Sequence, residues 1–594
     1  MNDERLIEAK RLFESGLDSM QLGQWSIAEQ SFRSSLAIVP GRQSIQHNLA
    51  VCLLKQKKYE LAESLLLDLY NRYPKNPKLI MNLGILRLEQ QLLSESIELF
   101  NLTISLDPTL SEVWCNKGIA LLRSNSDREA IQCFNRAIEL DKFSEAAYVN
   151  LGVARKRIFL YDESLEALNK ALDINPNSAE AWLNKGSVYL ELAQIDESES
   201  SFRKAVSLDR YLWEAHNNLI LSQHYSQPNP MRILEDARLF EQCVLEKHEA
   251  LDVGSEITAV STERLRIGFV SGDFREHSVG YFLKGLFREL TASSIKTFAF
   301  STSERNDELT DFFKLQVDEW HPIYSLSDES ASRLIRTLKI DVLIDLAGHT
   351  EGNRLSLFAL RPAYLQLSML GFPATTGLSS IDYVVGDQYA LPAELAQQFV
   401  EKIYSMKGPC LTYDRSEVIA ACFDPPVLKN GFITFGSFNN LSKISDECLF
   451  AWVQVLKANP QSRLMLKAKS LKSKAARELV LKRFQEYGVD KRRLILMKQT
   501  TRREEHLVRY HDIDIALDTF PYPGVTTTVE ALLSGVPVVS LSGESFLGRI
   551  PKTIFHQLQM DLWSHSTVES YVECAVHFSF SIEDLVFERS RLME

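Results

Sequence analysis

The sequence predicts an α-helical superhelix of paired helices, followed by two α/β units built on parallel sheets. Three observations predict it. A small residue recurs every 34 positions through the first third, that period is lost near residue 225, and short apolar runs then alternate with amphipathic stretches. The first pattern belongs to repeated helix packing, the last to strand–helix–strand crossovers.

Gly16, Ala50, Gly84, Gly118, Gly152 and Gly186 keep the 34-residue spacing, which is the period of the tetratricopeptide helix pair. Twelve residues after each comes Ala28, Ala62, Ser96, Ala130, Ser164 or Ser198; sixteen after comes Phe32, Leu66, Phe100, Phe134, Leu168 or Phe202. The small residues let two helices approach closely, and the large apolar ones fill the gap between pairs. Pro40, Pro74, Pro108 and Pro176 close four of the units. Six repeats are expected over residues 9–224, with a capping first helix of a seventh from 213 to about 225. Stacked repeats of this kind offer a concave wall to extended partners. Asn48, Asn82, Asn116, Asn150, Asn184 and Asn218 also keep the spacing, two residues before each small site. That position is expected to face the groove, where an amide gives a peptide backbone both a donor and an acceptor. Asparagine is also common at this repeat position in any case.

Residues 225–263 read as a linker with its own helix, at about 231–251, after Pro228 and Pro230. The first α/β unit, 264–415, offers strands at 265–270, 297–300, 341–346, 365–370 and 383–385. A loose segment follows at about 414–430. The second unit, 430–594, offers strands at 432–435, 463–466, 494–497, 513–517 and 536–541. These are two Rossmann-like units in tandem. Ligands are expected beyond the carboxyl ends of their strands, in the cleft between them.

The totals narrow the possibilities. A chain of 594 residues is too long for one core. Its formal charge of −12 argues against nucleic acid or an anionic membrane as partner. Eight scattered cysteines, without a CxxC pair or metal-ligand spacing, read as reduced thiols of a cytoplasmic protein. The acidic, helical N-terminus MNDERLIEAK is unlike a signal peptide. The oligomeric state is left open.

The strongest chemical signal is LDTFPYPGVTTTVE, residues 517–530. A strand ends, a Pro-Gly turn follows, and Thr526, Thr527 and Thr528 open a helix. Unpaired first-turn N–H groups and the helix dipole suit a diphosphate, and Glu530 could accept from a ribose. Threonines also cap helices without any ligand. The second signal is FGSFNNLSK, residues 435–443, where Lys443 could offset charge growing on a leaving phosphate. The third is GDFREH, ending in His277 just past the first strand; His349, in GHT, is placed alike, and both are expected to face the cleft as base or polar clamp. His506 and Arg509 fall on one helical face and could touch a base. The lysine-rich stretch 467–493 reads as solvated helix face, with attraction of an anionic donor as the alternative. Asp512-Ile-Asp514 looks like a metal-binding DxD but heads a buried strand, so no required metal is expected. No Walker-type loop occurs, which sets nucleotide hydrolysis aside.

The order of repeats, linker and two Rossmann-like units resembles glycosyltransferase family 41, the family of protein O-linked N-acetylglucosamine transferases and SPINDLY-like O-fucosyltransferases. The resemblance spans roughly residues 9–560. It rests on RLRIGFVSGDFREH, on DLAGHT with NRLSLFALRPAYLQLSMLGFPATTG, on ITFGSFNNLSK, on REEH, and on LDTFPYPGVTTTVEALLSGVPVV. It implies a GT-B-type pair of lobes and an inverting, metal-independent transfer of one sugar from a nucleotide donor to Ser or Thr of proteins. No cofactor is implied; the nucleotide sugar is a substrate. By resemblance, His277 matches a cleft histidine, Lys443 the essential lysine at the donor diphosphate, and Asn440 a donor-contacting amide. His506 and Arg509 match base-contacting positions, and Arg503 a lysine near the nucleotide. Thr526 and Thr527 match the phosphate-binding pair, Glu530 the acidic ribose ligand, and Pro373 the loop lining the sugar pocket. Val525 stands where animal transferases carry histidine, and Asn440 where they carry glutamine. The donor is therefore UDP-N-acetylglucosamine or GDP-fucose, with the first preferred. The hydroxyl proton could pass to His277 or to a donor phosphate oxygen. The reading from another class is a non-catalytic adaptor, in which the repeats bind a partner and the lobes are a remnant.

Overall fold

The computed structural model describes residues 2–248, 264–291, 294–414, 424–500 and 502–592. The end of the expected linker, 249–263, and most of the expected loose segment, 415–423 with Cys422, lie outside the described residues. The chain divides into two compact units, residues 1–184 and 185–594. The division falls within the sixth repeat.

In the first unit the helix pairs follow the 34-residue period, from Asn2–Gln21 with Trp25–Ile38 to Glu145–Arg157 with Tyr161–Ile174. Each pair closes for the reason the spacing gives. A Cβ placed on Gly118 would lie 2.5 Å from the Phe134 ring, and one on Gly84 would lie 2.6 Å from that of Phe100. Where the twelfth residue is serine, it adds a bond: Ser96 Oγ donates to Gly84 O at 2.8 Å and Ser164 Oγ to Gly152 O at 2.6 Å. Gly118→Val should therefore destabilise the repeat array by about 1–3 kcal/mol through overpacking against a fully buried ring. Urea unfolding of the variant checks this; an unchanged midpoint would mean that the close approach carries no energy.

The asparagine ladder is not uniform. Asn150 and Asn184 donate to Ala146 O and Glu180 O one turn earlier, at 2.8 and 2.9 Å. Each then keeps an oxygen for a further partner. Asn82 departs from the expected groove position. It is buried, and its amide nitrogen lies 2.6 Å from His47 Nε2, a side chain from the preceding repeat that covers it.

The second unit opens with helices Ile195–Leu208 and Trp213–Ser222 and the linker helix Pro230–His248. The first lobe then carries β1 (Arg266–Ser271), β2 (Lys296–Ser301), β3 (Glu319–Pro322), β4 (Val342–Asp345), β5 (Leu365–Ser368), β6 (Tyr383–Asp387) and β7 (Lys402–Met406). They form one parallel sheet in the order β3-β2-β1-β4-β5-β6-β7. The second lobe carries β8 (Thr434–Ser437), β9 (Arg463–Ala468), β10 (Leu494–Lys498), β11 (Ile515–Leu517), β12 (Val538–Leu541) and β13 (Ser564–His565), in the order β10-β9-β8-β11-β12-β13. In each sheet the order reverses beside the first strand, and a doubly wound fold binds ligands at that point. β3, β7 and β13 were absent from the expected strands, and all three lie at or beside an edge. β7 is mostly exposed, and β13 is two residues long. Neither presents the apolar run that marks a central strand.

Candidate functional site

The carboxyl ends of β8 and β11 lie side by side, because the strands pair in parallel with Phe435 opposite Ile515. Each feeds a turn. From β8, residues 438–440 lead into the short 3-10 helix Leu441–Lys443; from β11, residues 518–525 lead into helix Thr526–Leu533. Lys443 Nζ donates to Pro523 O at 2.9 Å and stands 4.0 Å above the Tyr522 ring. A cation is thus held beside the turn that opens the threonine helix.

Asp518 organises that turn. Its carboxylate accepts from Gly524 N at 2.7 Å, Thr519 N at 2.9 Å, Ser540 Oγ at 2.8 Å and Asn439 Nδ2 at 3.3 Å. Asn439 Oδ1 in turn accepts from Thr527 Oγ1 at 2.8 Å. Burial pushes the Asp518 carboxyl up to about 6 and the Lys443 ammonium down to about 8, while the two groups' mutual attraction opposes both shifts. The ammonium is destabilised because burial strips its water. An anion placed there would favour the charged ammonium.

Capping does not account for the threonines. The helix is preceded by Val525 without a side-chain cap. Thr528 Oγ1 donates back to Gly524 O at 3.0 Å, and Thr527 turns toward Asn439.

One turn on, Glu530 is 3% exposed and accepts from Arg503 Nη1 at 2.9 Å, with His506 Nε2 at 3.0 Å. Lys467 Nζ touches His506 Nδ1. Lys467 corrects the reading of its stretch as solvated: it is 2% exposed, and burial pushes its ammonium down to about 8. It lies near the carboxyl end of β9, in the same layer as Lys443 and Asp518. Arg503 also reaches the first lobe, where its Nη2 donates to Tyr413 Oη at 2.5 Å and its guanidinium sits 3.6 Å over the Tyr281 ring. Arg509 lies just past helix Arg503–Val508 and pairs with Asp512 at 3.0 Å. The chain stays helical through Arg509, whose N–H donates to His506 O, so the two keep the expected i,i+3 relation; no hydrogen bond or ion pair joins Arg509 to Glu530 among the described residues. Asn440 is exposed at the same turn, while Asn439 makes the internal bonds. Asp514 of the DxD accepts from Val427 N and Thr434 N at 2.8 and 2.7 Å, tying the head of β11 to β8.

In the first lobe, His277 precedes helix Ser278–Thr291, and its Nδ1 lies 3.2 Å from Asp273 Oδ1. Burial lowers the imidazole below its ordinary range, with Asp273 pulling it back. Tyr281 N donates to His277 O at 3.1 Å, so this helix start is linked through Tyr281 and Arg503 to Glu530.

His349 was expected to face the cleft and does not. It is 1% exposed, with Nδ1 2.7 Å from Asn217 Oδ1 and Nε2 3.0 Å from Thr376 O, so both ring nitrogens are committed to the protein. Pro373 lines a small cavity of about 20 Å³ with His224, Thr375, Phe399 and Phe546, the space of one water.

Asp518, Asn439 and Lys467 escaped the sequence reading. The signal that finds them is a polar residue at, or just past, the carboxyl end of a strand in a parallel sheet.

Comparison with known proteins comes to the same place. The sequence model of "Glycosyl transferase family 41" matches residues 237–421 and 415–594, and tetratricopeptide repeat models match 13–77, 111–143, 161–193 and 179–211. A tomato (Solanum lycopersicum) protein named "Probable UDP-N-acetylglucosamine--peptide N-acetylglucosaminyltransferase SPINDLY" is 34% identical over 334 residues, covering 56% of this chain and 36% of its own. The Caenorhabditis elegans UDP-N-acetylglucosamine--peptide N-acetylglucosaminyltransferase is 23% identical, covering 56% of this chain and 38% of its own. This chain therefore spans little more than a third of those relatives. The solved structure of a Thermobaculum terrenum O-GlcNAc transferase mutant superposes with a TM-score of 0.73 at 28% identity, covering 82% of this chain and 93% of that one.

Proposed function

The chain belongs to glycosyltransferase family 41, and from that premise we propose that it transfers N-acetylglucosamine from UDP-N-acetylglucosamine to Ser or Thr hydroxyls of proteins. The observation that carries this is Lys443 Nζ, 2.9 Å from Pro523 O at the start of the threonine helix, where charge develops on a departing diphosphate. Lys443 and the first-turn N–H groups hold that diphosphate, and Thr526 and Thr527 line it; Thr528, buried and bonded back to Gly524 O, supports the helix start instead. Glu530, fixed by Arg503 and His506, accepts from the ribose hydroxyls; His506 and Arg509 flank the base, with Asn440 at the diphosphate. The N-acetylglucosamine donor is carried over from the tomato and C. elegans relatives.

The reaction is an inverting displacement that needs no metal. The acceptor hydroxyl oxygen forms a bond to the anomeric carbon as the bond to the UDP oxygen breaks. The hydroxyl proton leaves to His277 or to a phosphate oxygen of the donor. The acceptor segment lies along the repeat groove, where the amides of Asn48, Asn116, Asn150, Asn184 and Asn218 take its backbone.

Two buried groups set a pH window. Asp518, raised to about 6, is ionised above that pH, and Lys443, lowered to about 8, is charged below it. Transfer to a Ser/Thr peptide, followed by mass spectrometry, should therefore lose kcat/KM as pH rises through about 8. Lys467 titrates in the same range, so the assignment is made with Lys443→Arg, whose guanidinium stays charged and should flatten that limb. An unaltered limb in Lys443→Arg would remove Lys443 from the role.

A further inference from the structure

The last repeat helix is joined to the lysine of the second lobe. Helix Trp213–Ser222 ends in a turn, in which Tyr225 N donates to Ser222 O at 3.1 Å and the Tyr225 side chain is buried. The Tyr225 ring stacks on the ring of Tyr522, with centroids 4.9 Å apart and planes 15° apart. Tyr522 is the ring under Lys443 Nζ, at 4.0 Å. A hydrogen bond also joins the Tyr225 phenol to Ser442, the residue before Lys443. One side chain thus supports Lys443 twice, through the ring that faces the ammonium and through the 3-10 turn that bears it.

The turn that carries Tyr225 is fixed from outside the second lobe. Gln223 Nε2 donates to Asp236 Oδ2 of the linker helix at 2.7 Å. Arg203, on the preceding repeat helix, grips the same carboxylate at 2.9 and 3.1 Å. His224 sets its ring edge-on to Phe372 of the first lobe, with centroids 5.1 Å apart.

Such a support matters because of what surrounds the ammonium. Burial removes its water, which leaves it Pro523 O, the Tyr522 ring face and the attraction of Asp518. A ring face attracts a cation only while the cation stays over it. A tyrosine on a turn can change rotamer, and stacking on a second, anchored ring removes that freedom. Burial raises both phenols, that of Tyr522 to about 12, so both rings are neutral at working pH.

We propose that Tyr225 is a positioning residue for Lys443, holding the Tyr522 ring and the Leu441–Lys443 turn so that the ammonium meets the diphosphate. This rests on the donor reading above, in which Lys443 offsets the charge that develops as the sugar leaves. Tyr225 acts through its two neighbours and not on the donor.

Kinetics of double variants decide whether Tyr225 acts through Lys443. Transfer from UDP-N-acetylglucosamine to a Ser/Thr peptide is compared for wild type, Tyr225→Leu, Lys443→Ala and the two substitutions together. Tyr225→Leu removes the stack and the bond to Ser442. It should lower kcat about tenfold, with the acceptor KM within about twofold of wild type. In the Lys443→Ala background the same change should cost less than about twofold, because the group it positions is gone. An equal loss in both backgrounds, or no loss in the wild-type background, overturns the positioning role while the donor reading stands. If Lys443→Ala turns over like wild type, the donor reading falls and the proposal falls with it. Should Tyr225→Leu fail to fold, Tyr225→Phe decides by the same comparison; it loses only the Ser442 bond and should cost about threefold.

Discussion

Lys443→Ala should lower kcat for sugar transfer by about 10²–10³-fold, the cost of removing one preorganised group from a developing oxyanion. The effect should fall on kcat more than on the KM for the acceptor, because the ammonium meets charge that grows only as the bond to the diphosphate breaks. The same substitution should not destabilise the fold. Lys443 is held below its ordinary range by burial, and its Nζ bonds to one carbonyl. A buried cation without a close carboxylate contact costs desolvation that alanine does not. Steady-state kinetics and thermal unfolding of the two proteins check both halves. Near-wild-type turnover would dismiss the diphosphate assignment, and a large drop in stability would mean that Lys443 is a structural post.

Asp518→Asn should do the reverse. The carboxylate takes four hydrogen bonds, three on Oδ1 and one on Oδ2. An amide replaces one acceptor oxygen with a donor nitrogen, which would face either Ser540 Oγ or the N–H groups of Thr519 and Gly524. A loss of about 2–4 kcal/mol is expected from the unsatisfied buried groups, read as a lower denaturation midpoint. Nucleotide affinity should fall with it, because the turn from Thr519 to Val525 sets the direction of the threonine helix. Since the folded-state pKa is raised, ionised Asp518 is itself penalised. Its contribution to stability is full below the unfolded value near 4 and is lost as pH rises through about 6. A folded variant at full stability and full affinity would leave Asp518 without the organising role.

Much of this was legible because the signals are periodic or terminal. The 34-residue register survives almost intact, since each repeat meets the same packing problem, a small residue under a large apolar one sixteen residues on. The central strands were legible because strands buried on both faces read as apolar runs. The edge strand β7 was not, because half-exposed backbone pairing leaves a mixed pattern. At the site, Lys443 comes to the threonine helix of Thr527 and Glu530 from 84 and 87 residues earlier in the chain. Lys467 was lost because lysine is ordinarily solvated, and only the pairing of β8 with β9 shows that its strand is central. His349 was misplaced because a histidine after a strand end can turn inward as readily as outward. Here an asparagine on the last repeat helix supplies the inward partner. Residue type alone carries no such direction.

The central claim is that the second lobe holds a uridine diphosphate between Lys443 and the threonine helix. Calorimetric titration of the purified chain with UDP and with GDP, repeated on Lys443→Ala, tests it most directly. UDP should bind, GDP should bind far more weakly, and the substitution should weaken UDP. Binding of GDP alone would transfer the chain to a fucose donor. Binding of neither would contradict the account and leave the repeats as an adaptor carrying a lobe pair without a substrate.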